Sequence, residues 1–307
     1  MPSIFVASYS VKVRERRSKG WSNLRFDKGN KSVREIVSEL MTHLKTKAQV
    51  DAEAQQLLRV SKLQQDKTDI WGIVEAGDYG YEAQLLDSKT LSTSYNKGVD
   101  EAEMVPLYFR FHLPDNGDTG IWIVQRLGNR GAFSAVKNML NNYWQVTTPD
   151  HLLAIARFVP TSVMESLTNG GVKEISVTTH TLPQDLADRF MLGGAKKSVA
   201  KVELRVTAKK GSVFTMNAAS WLKKLEKEGT KILEVPDETP TIRVKVDYKG
   251  RKRMYDLQKM DVVAPYVDIS EDVEHTRRGH PRFASINDYC VELRDELLEQ
   301  VGLEAPQ

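Results

Sequence analysis

The 307-residue chain carries a single cysteine, Cys290, which excludes an intramolecular disulfide and any multi-cysteine zinc site and fits a reducing compartment. No stretch approaches the roughly 18 uninterrupted apolar residues that a membrane-spanning helix needs. The one early apolar run, Ile4 to Ala7, has no basic residue before it and does not read as a secretory signal, so a cytoplasmic location is expected. Signatures of common chemistries are missing too. There is no Gly-x-x-x-x-Gly-Lys-Ser/Thr loop, and Gly128-Asn129-Arg130-Gly131 is too short to cradle phosphates. A Gly-x-Ser-x-Gly nucleophile elbow is absent, and His180-Thr181 and His275-Thr276 lack the middle residue of a His-x-Thr pair. Cys290 falls within the apolar periodicity of the last helix and reads as packed rather than nucleophilic. No motif implies a cofactor.

What is present is an ordinary globular composition, 40% hydrophobic and 28% charged, with length for about two domains on a prior of ~150 residues each. The net charge of +3 conceals opposed blocks. Residues 1–28 hold seven Lys and Arg against two Asp and Glu, and residues 195–260 hold 17 against eight. Residues 48–119 hold six against 13, and residues 261–307 hold four against 11. Such segregation points to one positive and one negative surface unless the fold brings the blocks together.

Periodicity predicts the frame. Ile4 to Val13 is rich in β-branched and aromatic residues and reads as a strand. Ser32-x-x-Glu35 has capping-box spacing, and Val33, Ile36, Val37, Leu40, Met41 and Leu44 form one apolar stripe of a helix behind it. Residues 48–66 fit a helix or a strand equally. Ile70 to Leu86 reads as two strands around a Gly77-Asp78-Tyr79-Gly80 turn, and Met104 to Leu113 with Thr119 to Leu127 as a further hairpin, giving a meander of about four strands. A helix carrying Phe133, Val136, Leu140 and Tyr143 follows, then strands at Leu152 to Val159 and Val172 to Thr179. Gly193-Gly194 is the best linker, which sets an N-terminal α+β domain over 1–192 and a basic C-terminal α+β domain over 195–307. The latter is read as a strand at Val199 to Ala208, a helix capped by Asn217, two strands around Lys249-Gly250, and a closing helix from about Ser285. The expected fold class is therefore α+β: a strand-rich N-terminal domain with flanking helices and a smaller β-α-β-β unit closed by a terminal helix.

The opening strand Ile4 to Tyr9, the Trp71-Gly72 and Gly77-Asp-Tyr-Gly80 segments, and Gly120-Ile-Trp-Ile-Val-Gln-Arg-Leu-Gly128 together resemble a class of uncharacterised bacterial proteins found in phage-defence islands, over roughly the first 180 residues. The resemblance implies a bacterial or phage setting and an effector or sensor role. It transfers no active-site residue.

The residues themselves point to nucleic acid as the partner. Lys201, Arg205, Arg243 and Lys245 occupy alternate positions of two strands, and Lys249, Arg251, Lys252 and Arg253 crowd the turn between them and their return strand. If those strands lie side by side, the outward cations form a strip suited to a phosphate backbone, of DNA or RNA, read without sequence preference. Edge protection is the competing explanation for Lys and Arg on a strand face. A second cluster, Arg14, Arg16, Arg17, Lys19 and Arg25, surrounds Trp21, which could stack a base or pack into its own domain. Two further readings compete. Asp268, Glu271, Asp272, Glu274, His275 and His280 could hold a divalent metal for a nuclease, though no established metal-site spacing appears among them. Alternatively, opposed charge blocks could drive self-association or binding to a partner defence protein.

Overall fold

The computed structural model describes residues 2–25, 31–52, 55–162, 165, 169–179, 202–209, 211–214, 241–248, 251–256 and 266–302. The contacts divide it into two units, Met1–Phe158 with Ser270–Gln307, and Val159–Ile269. The boundaries therefore fall at 158/159 and 269/270. Gly193-Gly194 and the Asn217 helix, expected from the sequence, lie outside the described residues.

The first unit contains, in chain order, β1 (Ile4–Glu15), α1 (Val33–Thr46), β2 (Gln49–Asp51), β3 (Gln56–Gln65), β4 (Asp69–Asp78), β5 (Ala83–Leu86), β6 (Thr93–Lys97), β7 (Val105–His112), β8 (Gly120–Leu127), β9 (Arg130–Gly131), α2 (Phe133–Thr147), β10 (His151–Arg157) and, from the end of the chain, α3 (Phe283–Gln300). Its sheet is antiparallel in the order β10-β1-β8-β7-β4-β3-β2, with β9 against the end of β8; β5 and β6 form a separate hairpin. The sub-order β10-β1-β8-β7, with α1 leaving β1 and α2 joining β8 to β10, is the split β-α-β arrangement, here widened by β3 and β4.

Local chemistry explains most of these elements. Ser32 caps α1 through its side chain, Glu35 reaches back to the Ser32 amide at 2.6 Å, and the six stripe residues are buried as the period requires. Residues 48–66, ambiguous in periodicity, are β2 and β3. The expected hairpin around Gly77 does not form: β4 runs through Gly77 to Asp78 and pairs with β3 and β7, while β5 pairs with β6. The glycines serve close approach instead. A Cβ at Gly72 would lie 1.9 Å from the Lys62 carbonyl oxygen, where the β3–β4 register slips, and one at Gly77 would lie 2.5 Å from that of Glu103. Only Gly80 has the positive φ of a turn.

Alternation along β7 sorts the two faces of the sheet. Leu107, Phe109 and Phe111 share a face with Trp122 of β8 and Tyr9 of β1, and Phe133 of α2 stacks on Tyr9 at 4.0 Å. Tyr108, Arg110 and His112 lie on the other face, where α3 covers them. The terminal helix thus belongs to the first unit and does not close the second. Its start also differs from expectation: the N-cap is Arg282, and Ser285 lies inside the helix with its hydroxyl accepting from the Glu274 amide. No helix among the described residues is long and apolar enough to cross a membrane.

The second unit contains β11 (Gly171–Thr179), β12 (Val202–Thr207), β13 (Thr241–Tyr248), β14 (Arg251–Asp256) and β15 (Tyr266–Asp268), antiparallel in the order β12-β11-β13-β14-β15. Val172, Val177, Val244, Val246 and Tyr255 are buried. β12, expected to have one wet face, is exposed on both, since Leu204 and Val206 lie open beside Arg205 at the sheet edge. The protein is α+β, as its strand and helix pattern predicts.

Candidate nucleic-acid interface

Strand register decides where the predicted cations sit. Across the second unit Arg205, Ser176, Arg243 and Asp256 form one row, and Thr207, Glu174, Lys245 and Met254 the next. Asp247 is registered with Lys252. Because side chains alternate faces with period two, the phase that holds Arg205, Arg243 and Lys245 also holds Glu203, Glu174 and Asp247. The backbones of Arg251 and Arg253 are registered with Tyr248 and Val246. Of the eight cations expected to converge, Arg205, Arg243 and Lys245 share one phase, and carboxylates share it with them. Arg205 shows the consequence: its guanidinium meets Glu203 at 2.5 Å and Glu174 at 3.5 Å, and these raise its pKa further. Lys201 and Lys249 lie outside the described residues.

The acidic and imidazole segment does not assemble a metal site. Residues 274–282 form a tight hairpin in which His275 bridges Pro281 and the Thr276 amide donates to the His280 carbonyl at 2.7 Å. That register pairs Thr276 with His280 and His275 with Pro281, so the two imidazoles belong to opposite faces. Glu274 is engaged by Arg282 at 2.8 Å. Among the described residues no group of three or more His, Cys, Asp or Glu side chains could hold a metal ion.

The first basic cluster is arranged differently. β1 continues past Val13, turns where the Ser18 amide donates to the Glu15 carbonyl, and returns so that the Ser22 amide donates to the Val13 carbonyl at 2.8 Å. This hairpin sets Trp21 across from Arg14. Lys12 shares their face, two residues earlier on β1. The Lys12 ammonium lies 5.6 Å and the Arg14 guanidinium carbon 5.9 Å from the Trp21 ring centroid, within cation–π range, while the Trp21 side chain stays 45% exposed. Arg16, Arg17 and Lys19 are exposed at the tip, and Arg16 donates to the Pro149 carbonyl, which ties the turn to the start of β10. Arg25, expected in the same cluster, instead meets Asp115 at 4.0 Å. No ion pair joins Lys12, Arg14, Arg16, Arg17 or Lys19 to a carboxylate among the described residues. The neighbouring strand keeps the surface low: Lys12 is registered with Ala154, Arg14 with Leu152 and Ser10 with Ala156.

Sequence reading missed a third constellation, between the sheet and α3. The Asp69 side chain is fully buried and accepts hydrogen bonds from Arg110, from His112 and, at 2.6 Å, from Arg294 of α3. Arg110 also donates to Tyr108 and to Asn287 of α3, at 3.3 and 3.2 Å. Burial pushes the Asp69 carboxyl up, but the His112 hydrogen bond and the Arg110 and Arg294 charges outweigh it and hold the pKa at about 2. Burial pushes the Tyr108 hydroxyl up, and the nearby Cys290 thiol up to about 12. The cluster is closed to solvent and ties α3 to the sheet through Asp69, with Asp295 as a second partner of Arg294. Its one sequence signal was Arg110 and His112 within an otherwise apolar strand.

An open groove of about 910 Å³ runs between α1, α2 and the edge strand β2, past Leu40, His43, Val50, Met139, Tyr143 and Val146. Of the two carboxylates lining it, Glu39 is taken by Lys31 and by the Tyr143 hydroxyl, and Asp51 is the other. Searched against protein-family models and against curated proteins, the sequence matches none.

Proposed function

We propose that the protein binds nucleic acid through sequence-tolerant phosphate contacts, in the bacterial defence or mobile-element setting that the resemblance implies. The observation that carries this reading is the β1 hairpin, where Lys12 and Arg14 flank an exposed tryptophan and, with Arg16, Arg17 and Lys19, form no ion pair among the described residues. Cations already neutralised by neighbouring acids add little to the field a polyanion meets; unpaired ones release its condensed counterions on binding. This moves the contact from the strand face of the second unit to the first unit. No nuclease chemistry is assigned, because the residues that would hold its metal are divided by the 274–282 hairpin.

The test compares two charge variants by fluorescence anisotropy of labelled DNA and RNA at low salt. Reversing Arg14, Arg16, Arg17 and Lys19 together to Glu is expected to weaken binding at least tenfold. Reversing Arg205, Arg243 and Lys245 is expected to change it less than twofold. The opposite ranking would return the contact to the second unit, and unchanged binding in both variants would remove the nucleic-acid reading.

A further inference from the structure

The geometry points to a single-stranded nucleic acid as the occupant of the β1 hairpin, with one unpaired base stacked on Trp21. This inference rests on the proposed nucleic-acid reading and names the form of its substrate. An indole that serves only packing is buried by its own domain; here Trp21 keeps nearly half its accessible surface in water although two cations flank its ring. Lys12 and Arg14 are two residues apart on an extended strand, a separation of roughly 7 Å. Both point along the face that carries Trp21, so the backbone of a strand meeting these cations brings its bases over the ring. Ala154 beside Lys12 leaves that part of the sheet low, while Leu152 stands beside Arg14. In a duplex the base faces are already stacked on one another, and the indole gains no partner. Every unpaired base has a face to offer, so the contact is strong and indifferent to sequence.

An anionic membrane surface is the other polyanion that a basic, tryptophan-bearing loop can meet. Its attraction scales with the apolar area that inserts, and the tip here is Arg16, Arg17, Ser18, Lys19 and Gly20, with Trp21 the one large apolar side chain. The observations therefore favour the strand.

The experiment titrates the full chain and its Trp21→Ala, Trp21→Phe and four-residue charge-reversal variants with labelled oligo-dT, oligo-rU and a duplex of equal length, and with phosphatidylserine vesicles, after circular dichroism shows native folding. Single strands should bind more tightly than the duplex. Trp21→Ala should weaken single-strand binding roughly tenfold and leave duplex binding unchanged, with most of the loss restored in Trp21→Phe. An equal effect of Trp21→Ala on both forms, or none on either, while charge reversal still abolishes binding, would overturn the stacking inference and leave the phosphate reading standing. Indifference of every oligonucleotide to charge reversal would overturn both. Vesicle binding by the native chain that Trp21→Ala removes would overturn the inference in favour of a membrane surface.

Discussion

Two regions of the first unit gather arginine and put it to opposite uses. Against α3, Arg110 and Arg294 are buried around the carboxylate of Asp69, and Arg294 also meets Asp295. At the β1 hairpin, Arg14 is half-buried and Arg16 and Arg17 are exposed, and none of the three forms an ion pair among the described residues. The residue type is the same; what differs is whether the chain supplies the counter-ion. A matched arginine holds structure, and an unmatched one is available to an outside anion. The strand face of the second unit sits between these extremes, since Arg205 is exposed but already paired.

The sharpest way to break the comparison is to remove the shared counter-ion. Asp69→Asn leaves the buried Arg110 without a carboxylate and Arg294 with Asp295 alone, and should destabilise the first unit by about 3–5 kcal/mol. Thermal denaturation reads this; a loss under 1 kcal/mol would mean that the buried charges are screened by something other than Asp69. Hairpin charge reversal, by contrast, should leave the melting temperature unchanged while abolishing binding.

Acid titration probes the same anchor without mutation. The Asp69 carboxyl titrates near 2 when folded and near 3.9 when unfolded, so its folded-state pKa is depressed. Its stabilisation is fully present above about pH 4 and disappears as pH falls toward 2, a loss of about 2–3 kcal/mol on that interval. The native chain should show this acid loss, and Asp69→Asn should not. Equal acid sensitivity in both would show that another carboxylate controls the transition.

Cys290 reports on α3 directly. Buried and with its thiol pushed up to about 12, it should resist alkylation at pH 8 in the native chain. Asp69→Asn, by weakening the α3 anchor, should raise the labelling rate several-fold, measured by mass spectrometry. Hairpin variants should label as slowly as the native chain, and fast labelling of the native chain would show that α3 detaches readily.

Legibility followed the range of the interactions involved. The capping box and stripe of α1, the β7–β8 hairpin and the helix at Phe133 depend on residues within a few positions of each other and read correctly. The Gly77 turn failed because its glycine answers a carbonyl 26 residues away, and the Asp69 cluster was invisible because its members are separated by up to 225 positions. The basic strip illustrates the hardest case. Alternation placed Arg205, Arg243 and Lys245 on one face, but only the register with β11 reveals that Glu174 shares it. Trp21 was recognised with its arginines, whereas Lys12 was assigned to the strand and its approach to the ring was missed.

The smallest effect is also the most specific. Each cation that neutralises a phosphate on a single strand contributes about −0.7 to the slope of log K against log salt. Lys12→Gln should therefore make the slope less steep by roughly that amount, with a modest loss of affinity at low salt and convergence toward native affinity at high salt. Trp21→Ala should do the reverse: lower affinity at every salt concentration, with the slope unchanged, because stacking releases no counterions. The two variants divide the hairpin into its charged and aromatic parts. A slope that responds to neither, measured on a chain that still binds, would place the phosphates elsewhere and dissolve the contrast between matched and unmatched arginine.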